Sequence, residues 1–241
     1  MEWFNNWTKT LYNTFIEKDR YKILIDGFSK TLIITVGALV IGVIIGTIVA
    51  VVKVFAETTR KNNPSGFKRT IFEILDKICN IYLTVIRGTP VVVQLLIFFF
   101  IIFSDAKDGT WVAALTFGIN SGAYVAEVIR SGITSIDSGQ MEAGRSIGFS
   151  NLQTMWLIIL PQAFKNILPA IGNEMIALLK ETSVAGYVAV IDLTKAGNQI
   201  KNTTYDQINP ILLVAIVYLV VVLIMTRLLN LFERKLRNSE R

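Results

Sequence analysis

Long uncharged and mainly apolar runs dominate this chain. A helix that crosses a lipid bilayer needs roughly 20 such residues, because the hydrocarbon core is about 30 Å thick and each helical residue rises about 1.5 Å. Residues 31–52 and 207–226 are long enough, with 22 and 20 uncharged residues respectively. Shorter or interrupted runs at 88–104, 109–126 and 167–191 bring the predicted membrane helices to five.

A sixth uncharged run, at 146–164, is predicted not to cross the membrane. It contains several polar side chains and two residues that interrupt helices, Gly148 and Pro161. Ser150 followed three residues later by Gln153 is typical of a capping box, which starts a new helix. We therefore expect two short helices at the membrane edge in this part of the chain.

The composition agrees with a membrane protein and excludes several kinds of site. Hydrophobic residues make up 52% of the chain and charged residues 17%, whereas soluble domains carry about 25% charged residues. The chain has no histidine, which excludes a histidine general base and a histidine-ligated metal. Cys79 is the single cysteine, so an internal disulfide and a multi-cysteine zinc site are excluded as well. We predict an all-α polytopic membrane protein with five transmembrane helices.

Lysine and arginine predict the orientation, because short cytoplasmic loops carry an excess of both. Segment 53–78 contains six basic residues and the tail from Arg227 contains five, whereas 104–110 contains one. We therefore expect the C-terminus inside and the N-terminus outside. The basic residues that give the net charge of +6 flank the apolar runs, so we expect them to face the membrane surface and expect no nucleic-acid partner. The arm at 1–26, with Trp3 and Trp7, is predicted to be an interfacial helix or a solvated arm.

The most informative segment is the cytoplasmic loop at 131–165. Asp137, Ser138 and Gly139 predict an entry turn, and a helix of about two turns at 140–147 is expected to stop at Gly148. The loop contains a spaced pattern of residues: Glu142-Ala143-Gly144, Gly148, Ile158, Leu160 and Pro161.

This pattern resembles the EAA loop of ATP-binding-cassette importer permeases. That family has Glu-Ala-Ala, three residues, Gly, nine residues, Ile, one residue and Leu-Pro, and the spacing in this chain fits throughout. The one departure is Gly144, where the family usually has alanine. By helix propensity alone, glycine weakens this short helix by about 1 kcal/mol at most.

Further segments are similar to the polar amino acid branch of these permeases, over about residues 27–229. The matching segments are Arg87-Gly88-Thr89-Pro90 with Gln94, Ala123 to Glu127 with Arg130, Pro161-Gln162-Ala163, Asn173-Glu174, and Lys180-Glu181-Thr182-Ser183. The resemblance implies a type I importer transmembrane domain at 27–229 and a basic cytoplasmic tail at 230–241.

The resemblance also implies partners. A separate ATP-binding-cassette ATPase subunit would hold ATP and Mg, and this chain would bind no cofactor and catalyse no reaction. A second permease subunit, identical or paralogous, and an extracytoplasmic substrate-binding protein would complete the importer. The residues expected to contact the ATPase are Gln140, Glu142, Ala143, Gly144, Arg145 and Gly148.

The sequence itself agrees that ATP hydrolysis belongs to another chain. None of the sixteen glycines is followed by lysine, so the phosphate-binding loop of nucleotide hydrolases is missing.

Polar and charged residues in the predicted membrane helices are candidates for the substrate path, because unpaired ions in hydrocarbon cost several kcal/mol. A zwitterionic amino acid needs an acceptor for its ammonium and donors for its carboxylate. The path candidates are Asn120, Ser121, Tyr124, Glu127, Asn173, Glu174 and Thr182. Residues expected to form a gate or to stabilise the structure are Arg87, Pro90, Arg130, Lys180 and Glu181.

Two other classes of protein are weighed against this interpretation. A stand-alone secondary carrier or channel for small polar solutes would need no coupling loop and more often shows internal repeats, which this chain lacks. An integral-membrane enzyme would need a catalytic pair of side chains, and none stands out. The expected location is the bacterial plasma (inner) membrane, bounded by lipid. The particular amino acid, and the choice between homodimer and heterodimer, stay open.

Overall fold

The computed structural model describes residues 2–62 and 67–238. Met1, 63–66 and 239–241 lie outside the described residues, as does the side chain of Trp3, so the predicted arm and tail are described in part. Within the described ranges the chain forms helices and no β-strand. The helices are α1 Glu2–Leu11, α2 Tyr21–Asn62, α3 Phe67–Gly88, α4 Val91–Ile97, α5 Gly109–Thr134, α6 Ser138–Ser146, α7 Asn151–Thr154, α8 Leu160–Glu181, α9 Leu193–Thr204 and α10 Asn209–Asn238.

Several helices are extended by turns of other helical types. Wider π-helical turns occur at Tyr12–Ile16, Phe98–Ile102 and Met155–Ile159. Tighter 3₁₀ turns occur at Glu17–Asp19 and Thr182–Val188.

The prediction of an all-α membrane protein is confirmed. Four helical stretches of the described chain are long and apolar enough to cross a bilayer, and α3 with α4 would make a fifth if they form one crossing. The four stretches are Tyr21–Arg60, Gly109–Thr134, Asn151–Val188 and Asn209–Leu236.

The predicted run at 88–104 corresponds to a helix that begins much earlier. Helix α3 already starts at Phe67, and the chain is interrupted at Thr89 and Pro90 before α4 starts at Val91. Proline lacks an amide hydrogen and disfavours a helical conformation in the residue before it, which explains the break. Arg87 therefore lies in the last turn of α3.

Of the two short helices predicted at the membrane edge, the first is confirmed and the second is wrong. The first ends as expected, but the second starts at Asn151 and continues through the π-helical turn into α8, forming one stretch up to Val188. Pro161 does not stop it, because it lies in the first turn of α8, directly after the π-helical turn.

The chain divides into two compact units. The first consists of the described parts of Met1–Ala38, Val91–Phe117 and Ile176–Thr226. Its fully buried side chains include Ile34, Leu95, Phe117, Leu179 and Leu193. Thr31 in α2 accepts a hydrogen bond from the Leu193 N–H through its Oγ1 (3.1 Å), which ties α9 to this unit.

Two acidic residues of the first unit, Asp192 and Asp206, form hydrogen bonds at the starts of helices. Asp192 is fully buried and caps α9 by accepting from the Thr194 N–H (2.9 Å) and the Lys195 N–H (3.2 Å). Burial raises the pKa of Asp192, against the effect of these hydrogen bonds.

Asp206 lies just before α10 and accepts hydrogen bonds from Thr14 Oγ1 (2.9 Å) and Asn209 Nδ2 (2.7 Å). Partial burial acts to raise the pKa of Asp206, but the hydrogen bonds from Asn209, Thr14 and Ile208 outweigh it. The pKa of this carboxyl is therefore lowered from its ordinary value.

The second unit consists of Leu39–Pro90, Gly118–Met175 and the described part of Arg227–Arg241. Its core is made by Val49, Cys79, Leu83, Ala123 and Ala126, from α2, α3 and α5. The Tyr82 hydroxyl donates to the Ile119 carbonyl (2.6 Å) and joins α3 to α5. All residues of the loop at 131–165 belong to this unit.

Candidate functional site

Helix α6 is defined by a strong start signal and a strong stop signal. The Asp137 carboxylate accepts from the Gly139 N–H (2.6 Å), which caps the first turn. At the other end the Phe149 N–H donates to the Gly144 carbonyl (3.1 Å), and Gly148 has a φ of +96°. This arrangement satisfies the last carbonyls of a helix and requires glycine at the left-handed position. The predicted stop at Gly148 is confirmed.

The side chains expected to meet a partner lie on the exposed part of α6. Gln140, Glu142, Ala143 and Arg145 are exposed, whereas Gly144 is buried. The Arg145 guanidinium donates to the Phe149 carbonyl (2.9 Å). The chain therefore satisfies Arg145 through its own backbone and leaves the Glu142 carboxylate exposed to solvent.

Gly144 is needed for a reason that helix propensity does not contain. A Cβ atom at this position would lie 2.8 Å from Thr154 Oγ1 and 3.1 Å from Ile158 Cδ1, and it would overlap with the methyl group of Thr154. Thr154 is fully buried, and its hydroxyl donates to the Ser150 carbonyl (3.0 Å). Helix propensity predicted only that glycine weakens α6 by about 1 kcal/mol at most. The structure adds that α6 packs directly on α7 at Gly144.

Two side-chain hydrogen bonds hold the loop against the start of α8. Gln162 Nε2 lies 3.4 Å from Gln140 Oε1, and Asn166 Nδ2 donates to Ser135 Oγ (3.0 Å). The capping box at Ser150 and Gln153 is present as predicted, with both of its reciprocal hydrogen bonds. The loop at 131–165 is therefore held to α8 by hydrogen bonds and is not a loose connection.

Within the membrane helices, Glu174 has a specific partner. Its Oε1 accepts from Ser121 Oγ (2.7 Å), which joins α8 to α5. Gly42 in α2 makes room for Ser121, because a Cβ there would lie 2.9 Å from Ser121 Oγ. Asn173, next to Glu174, is exposed and donates to the Pro169 carbonyl (3.2 Å).

A second polar cluster lies at the ends of α3 and α5. Glu127 is 3.6 Å from Arg87 and 3.3 Å from Arg130, so two arginines share one carboxylate. The Arg87 guanidinium also lies 5.7 Å from the centre of the Tyr124 ring. These four predicted residues are brought together by the fold.

The remaining candidates lie elsewhere. Asn120 is buried, and so is Thr182, which belongs to the first unit and donates to the Leu179 carbonyl (2.8 Å). Lys180 is exposed at the end of α8. Pro90 marks the break between α3 and α4.

Sequence reasoning missed Thr154, whose position ten residues after Gly144 gives no local signal. It also placed Lys53 and Asp76 in a basic cytoplasmic loop, although both lie in long helices. The four-residue spacing of Asp76 and Asn80 on one face of α3 was the signal that would have found Asp76, whereas Lys53, on α2, gave no such signal.

Comparisons with known proteins agree with one another. Residues 65–238 match the family described as "Binding-protein-dependent transport system inner membrane component". The chain is 36% identical to the "Arginine transport system permease protein ArtQ" of Bacillus subtilis, over 90% of this chain and 94% of that protein. It is 34% identical to the "Glutamine transport system permease protein GlnP" of Escherichia coli K12, over 89% and 93%.

Solved structures give the same picture. A structure described as "Crystal structure of an amino acid ABC transporter with histidines" is 37% identical, covers 92% of this chain and 98% of that chain, and superposes with a TM-score of 0.79. The MetNI methionine ABC transporter in an inward-facing conformation shares the fold, with a TM-score of 0.71 at 20% identity.

Proposed function

Because this chain belongs to the family of inner membrane components of binding-protein-dependent transport systems, we propose that it is the permease subunit of an ATP-driven amino acid importer. Its transmembrane domain, at 27–229, forms the translocation path. ATP and Mg are bound by a separate ATPase subunit. The observation that carries the proposal is the coupling loop: a short helix with a fixed start and stop, exposed polar side chains and bracing to α8.

The coupling step follows from that geometry. Gln140, Glu142, Ala143 and Arg145 offer the ATPase an exposed surface, and the contact of Gly144 with Thr154 passes any displacement of α6 to α7. From there a continuous helix runs through α8. ATP binding on the partner thus moves a membrane helix without any bond chemistry in this chain.

An amino acid is the proposed substrate because the relatives with known names carry arginine and glutamine and because the polar groups suit a zwitterion. Glu174 supplies an acceptor for an ammonium group and is hydrogen-bonded to Ser121, and the sequence neighbours of these two residues are Asn173 and Asn120. Tyr124, Glu127 and Thr182 complete the proposed path. Arg87, Arg130 and Pro90 form a gate, with Lys180 and Glu181 in a gating or structural role.

The proposed location is the bacterial plasma membrane, with the N-terminus outside and the C-terminus in the cytoplasm, supported by the basic residues in 53–78 and the tail. A second permease, identical or paralogous, and an extracytoplasmic binding protein are the remaining proposed partners. Residues 1–26 are proposed as an interfacial arm and 230–241 as a basic tail.

Affinity purification of the tagged chain from its own host tests the assembly. Mass spectrometry of the purified complex is expected to find an ATPase subunit that carries a phosphate-binding loop, and the number of permease species distinguishes homodimer from heterodimer. A chain that transports a solute with no ATPase present would instead be a secondary carrier.

Two variants test coupling. Glu142→Lys reverses an exposed charge, and Gly148→Trp forces a bulky residue into the left-handed position. Both are expected to abolish ATP-driven uptake while the chain still inserts into the membrane. Ser138→Ala, at the exposed start of the same helix, is the control. Full uptake by both variants would refute the coupling role.

Glu174→Gln tests the substrate path. The amide keeps a hydrogen-bonding group near Ser121 but removes the negative charge that an ammonium group needs. We expect a changed KM or selectivity with normal assembly. Unchanged uptake kinetics would remove Glu174 from the path.

A further inference from the structure

A polar cleft of about 940 Å³ lies between α2, α3 and α5, within the second unit. Four cations and three carboxylates line it. The Arg87–Glu127–Arg130 cluster occupies one end of the cleft. The other end is formed by side chains that the proposed function does not use: Lys53, Glu57, Arg60, Asp76 and Asn80.

The cleft is built by a helix with two distinct faces. Asp76, Asn80, Thr84 and Arg87 follow one another at intervals of four, four and three residues, so they share one face of α3. The opposite face of α3 is apolar and exposed, and it consists of Ile74, Ile78, Ile81 and Val85. The polar face is therefore a continuous feature of α3 and not a collection of isolated surface charges.

The ionic contacts at the unused end are loose. Asp76 lies 3.4 Å from Lys53 Nζ, 3.5 Å from Arg60 Nη2 and 3.3 Å from Asn80 Nδ2. Charge-assisted hydrogen bonds are normally about 2.7–2.9 Å long. An ion pair on α3 outside the cleft, between Arg69 and Glu73, has this normal length of 2.7 Å.

These loose contacts involve groups that are mostly shielded from water. The side chains of Lys53 and Asp76 are 17% and 18% exposed. Removing charges from water is costly unless close partners compensate. Lys53 has one close partner, because its Nζ donates to Asn80 Oδ1 (2.6 Å), whereas the three contacts of Asp76 are 3.3–3.5 Å long. The ammonium of a ligand would give Asp76 a closer partner, and the ligand's carboxylate would accept from the remaining N–H groups of Lys53 and Arg60.

The other end of the cleft also has a surplus of donors. Arg87 and Arg130 share the single carboxylate of Glu127. The Nε of Arg130 is buried and, among the described residues, has no hydrogen-bond acceptor. Asn80 and Thr84 lie between the two charged ends, along the same face of α3.

We propose that this cleft is a binding site for a free α-amino acid, separate from the Ser121–Glu174 pair. Asp76 accepts from the α-ammonium, Lys53 and Arg60 donate to the α-carboxylate, and the ligand's side chain extends along Asn80. The proposal rests on the proposed function for one point: the inner location of the cleft, which exposes it to the cytoplasm. The site then holds product after transport and slows the importer when the cytoplasmic amino acid is abundant.

Binding to the purified importer complex tests the chemistry. The probes are L-glutamine and L-arginine, each with its N-acetyl and methyl ester derivatives, which remove the ammonium and the carboxylate respectively. We expect saturable binding of at least one free amino acid and loss of binding for both of its derivatives. Equal binding of the derivatives, or no binding of either free amino acid, would overturn the proposal.

Variants then assign the binding to the cleft. Asp76→Asn is expected to raise the half-saturating concentration about tenfold or more, because it removes a hydrogen bond to a charged group. Glu73→Gln is the matched control, since it lies one turn earlier on α3 and pairs with Arg69 outside the cleft. Equal affinity of the two variants would contradict the assignment. Arg60→Gln, at a half-exposed position, provides a second test if Asp76→Asn does not assemble.

Uptake into proteoliposomes tests the regulatory role. With ATP and unlabelled amino acid enclosed, the initial uptake rate of the wild-type importer is expected to fall at least twofold, and that of Asp76→Asn to fall less. The same slowing in both would overturn the inference and leave the importer intact as a proposal. Uptake that does not require ATP would overturn the proposed function itself.

Discussion

The packing of α6 on α7 makes Gly144→Ala a sharp test of how the coupling loop is built. Alanine favours a helix over glycine by about 1 kcal/mol, so propensity alone predicts a stabilised loop. The structure predicts the opposite. The new methyl group would lie 2.8 Å from Thr154 Oγ1, and Thr154 cannot move away because it is buried and hydrogen-bonded to Ser150.

The expected magnitude follows from these opposing effects. Overpacking a tight contact costs about 1–3 kcal/mol, from which the propensity gain of about 1 kcal/mol is subtracted. Gly144→Ala should therefore lower the free energy of unfolding of the loop by about 0–2 kcal/mol, or shift α6 away from α7. Recovery of the ATPase subunit on affinity purification should fall in parallel.

A double-mutant cycle isolates the contact. Thr154→Ala removes the two atoms that come closest to the new methyl group and leaves only the longer contact with Ile158 Cδ1, so Gly144→Ala should be much less harmful in that background than alone. Thermal unfolding in detergent and ATPase recovery are measured for the wild type, both single variants and the double variant. Additive effects of the two substitutions, or a stabilising Gly144→Ala in the wild-type background, would refute the reasoning.

Three further predictions concern turns and buried charges. Gly148→Ala forces a side chain into a φ of +96° and should lower the free energy of unfolding by about 1–3 kcal/mol, with reduced recovery of the ATPase subunit. Gly88→Ala is the control, because a Cβ at Gly88 meets no atom within 4 Å, and recovery of the ATPase subunit should stay normal. The lowered pKa of Asp206 means that its charge stabilises the fold above about pH 4 and that this contribution is lost as the pH falls further. Acid unfolding of Asp206→Asn should therefore depend less on pH than that of the control Asp105→Asn, and equal profiles would contradict this. The raised pKa of Asp192 means that the stability of the fold decreases as the pH rises from about 4 through the pKa of the folded state. In thermal melts at a series of pH values, Asp192→Asn should therefore show a weaker dependence of stability on pH. Asp192→Ala should in addition lose about 1 kcal/mol of helix capping.

Local signals explain what the sequence predicted well. Apolar runs of membrane length, Gly148 at a helix stop and the Ser150–Gln153 pair each depend on residues a few positions apart. The interactions that produce them involve only residues within one turn of helix or one crossing of the bilayer. All three features are present in the structure.

Features that depend on the meeting of separate segments could not be predicted in this way. The contact between Gly144 and Thr154 is set by the packing of two helices, and helix propensity does not describe it. Pro161 was expected to end a helix, but a π-helical turn just before it lets the helix continue. The polar face of α3 was hidden because hydropathy counts Asp76 and Arg87 only as charges that interrupt apolar runs.

The π-helical turn at Met155–Ile159 makes the effect of a deletion depend on where it falls. The Leu160 N–H donates to the Met155 carbonyl, five residues back, so the turn contains one residue more than an α-helix would need. Deletion of one residue there would convert this bond into the four-residue bond of an α-helix, and the helix beyond it would keep its facing, with Glu174 still directed at Ser121. Deletion of one residue in the regular part of α8, between Leu160 and Glu174, has no wide turn to absorb it and would rotate Glu174 by about 100° away from Ser121. The same single-codon deletion is therefore expected to be tolerated at the π-helical turn and to disrupt the membrane path a few residues later.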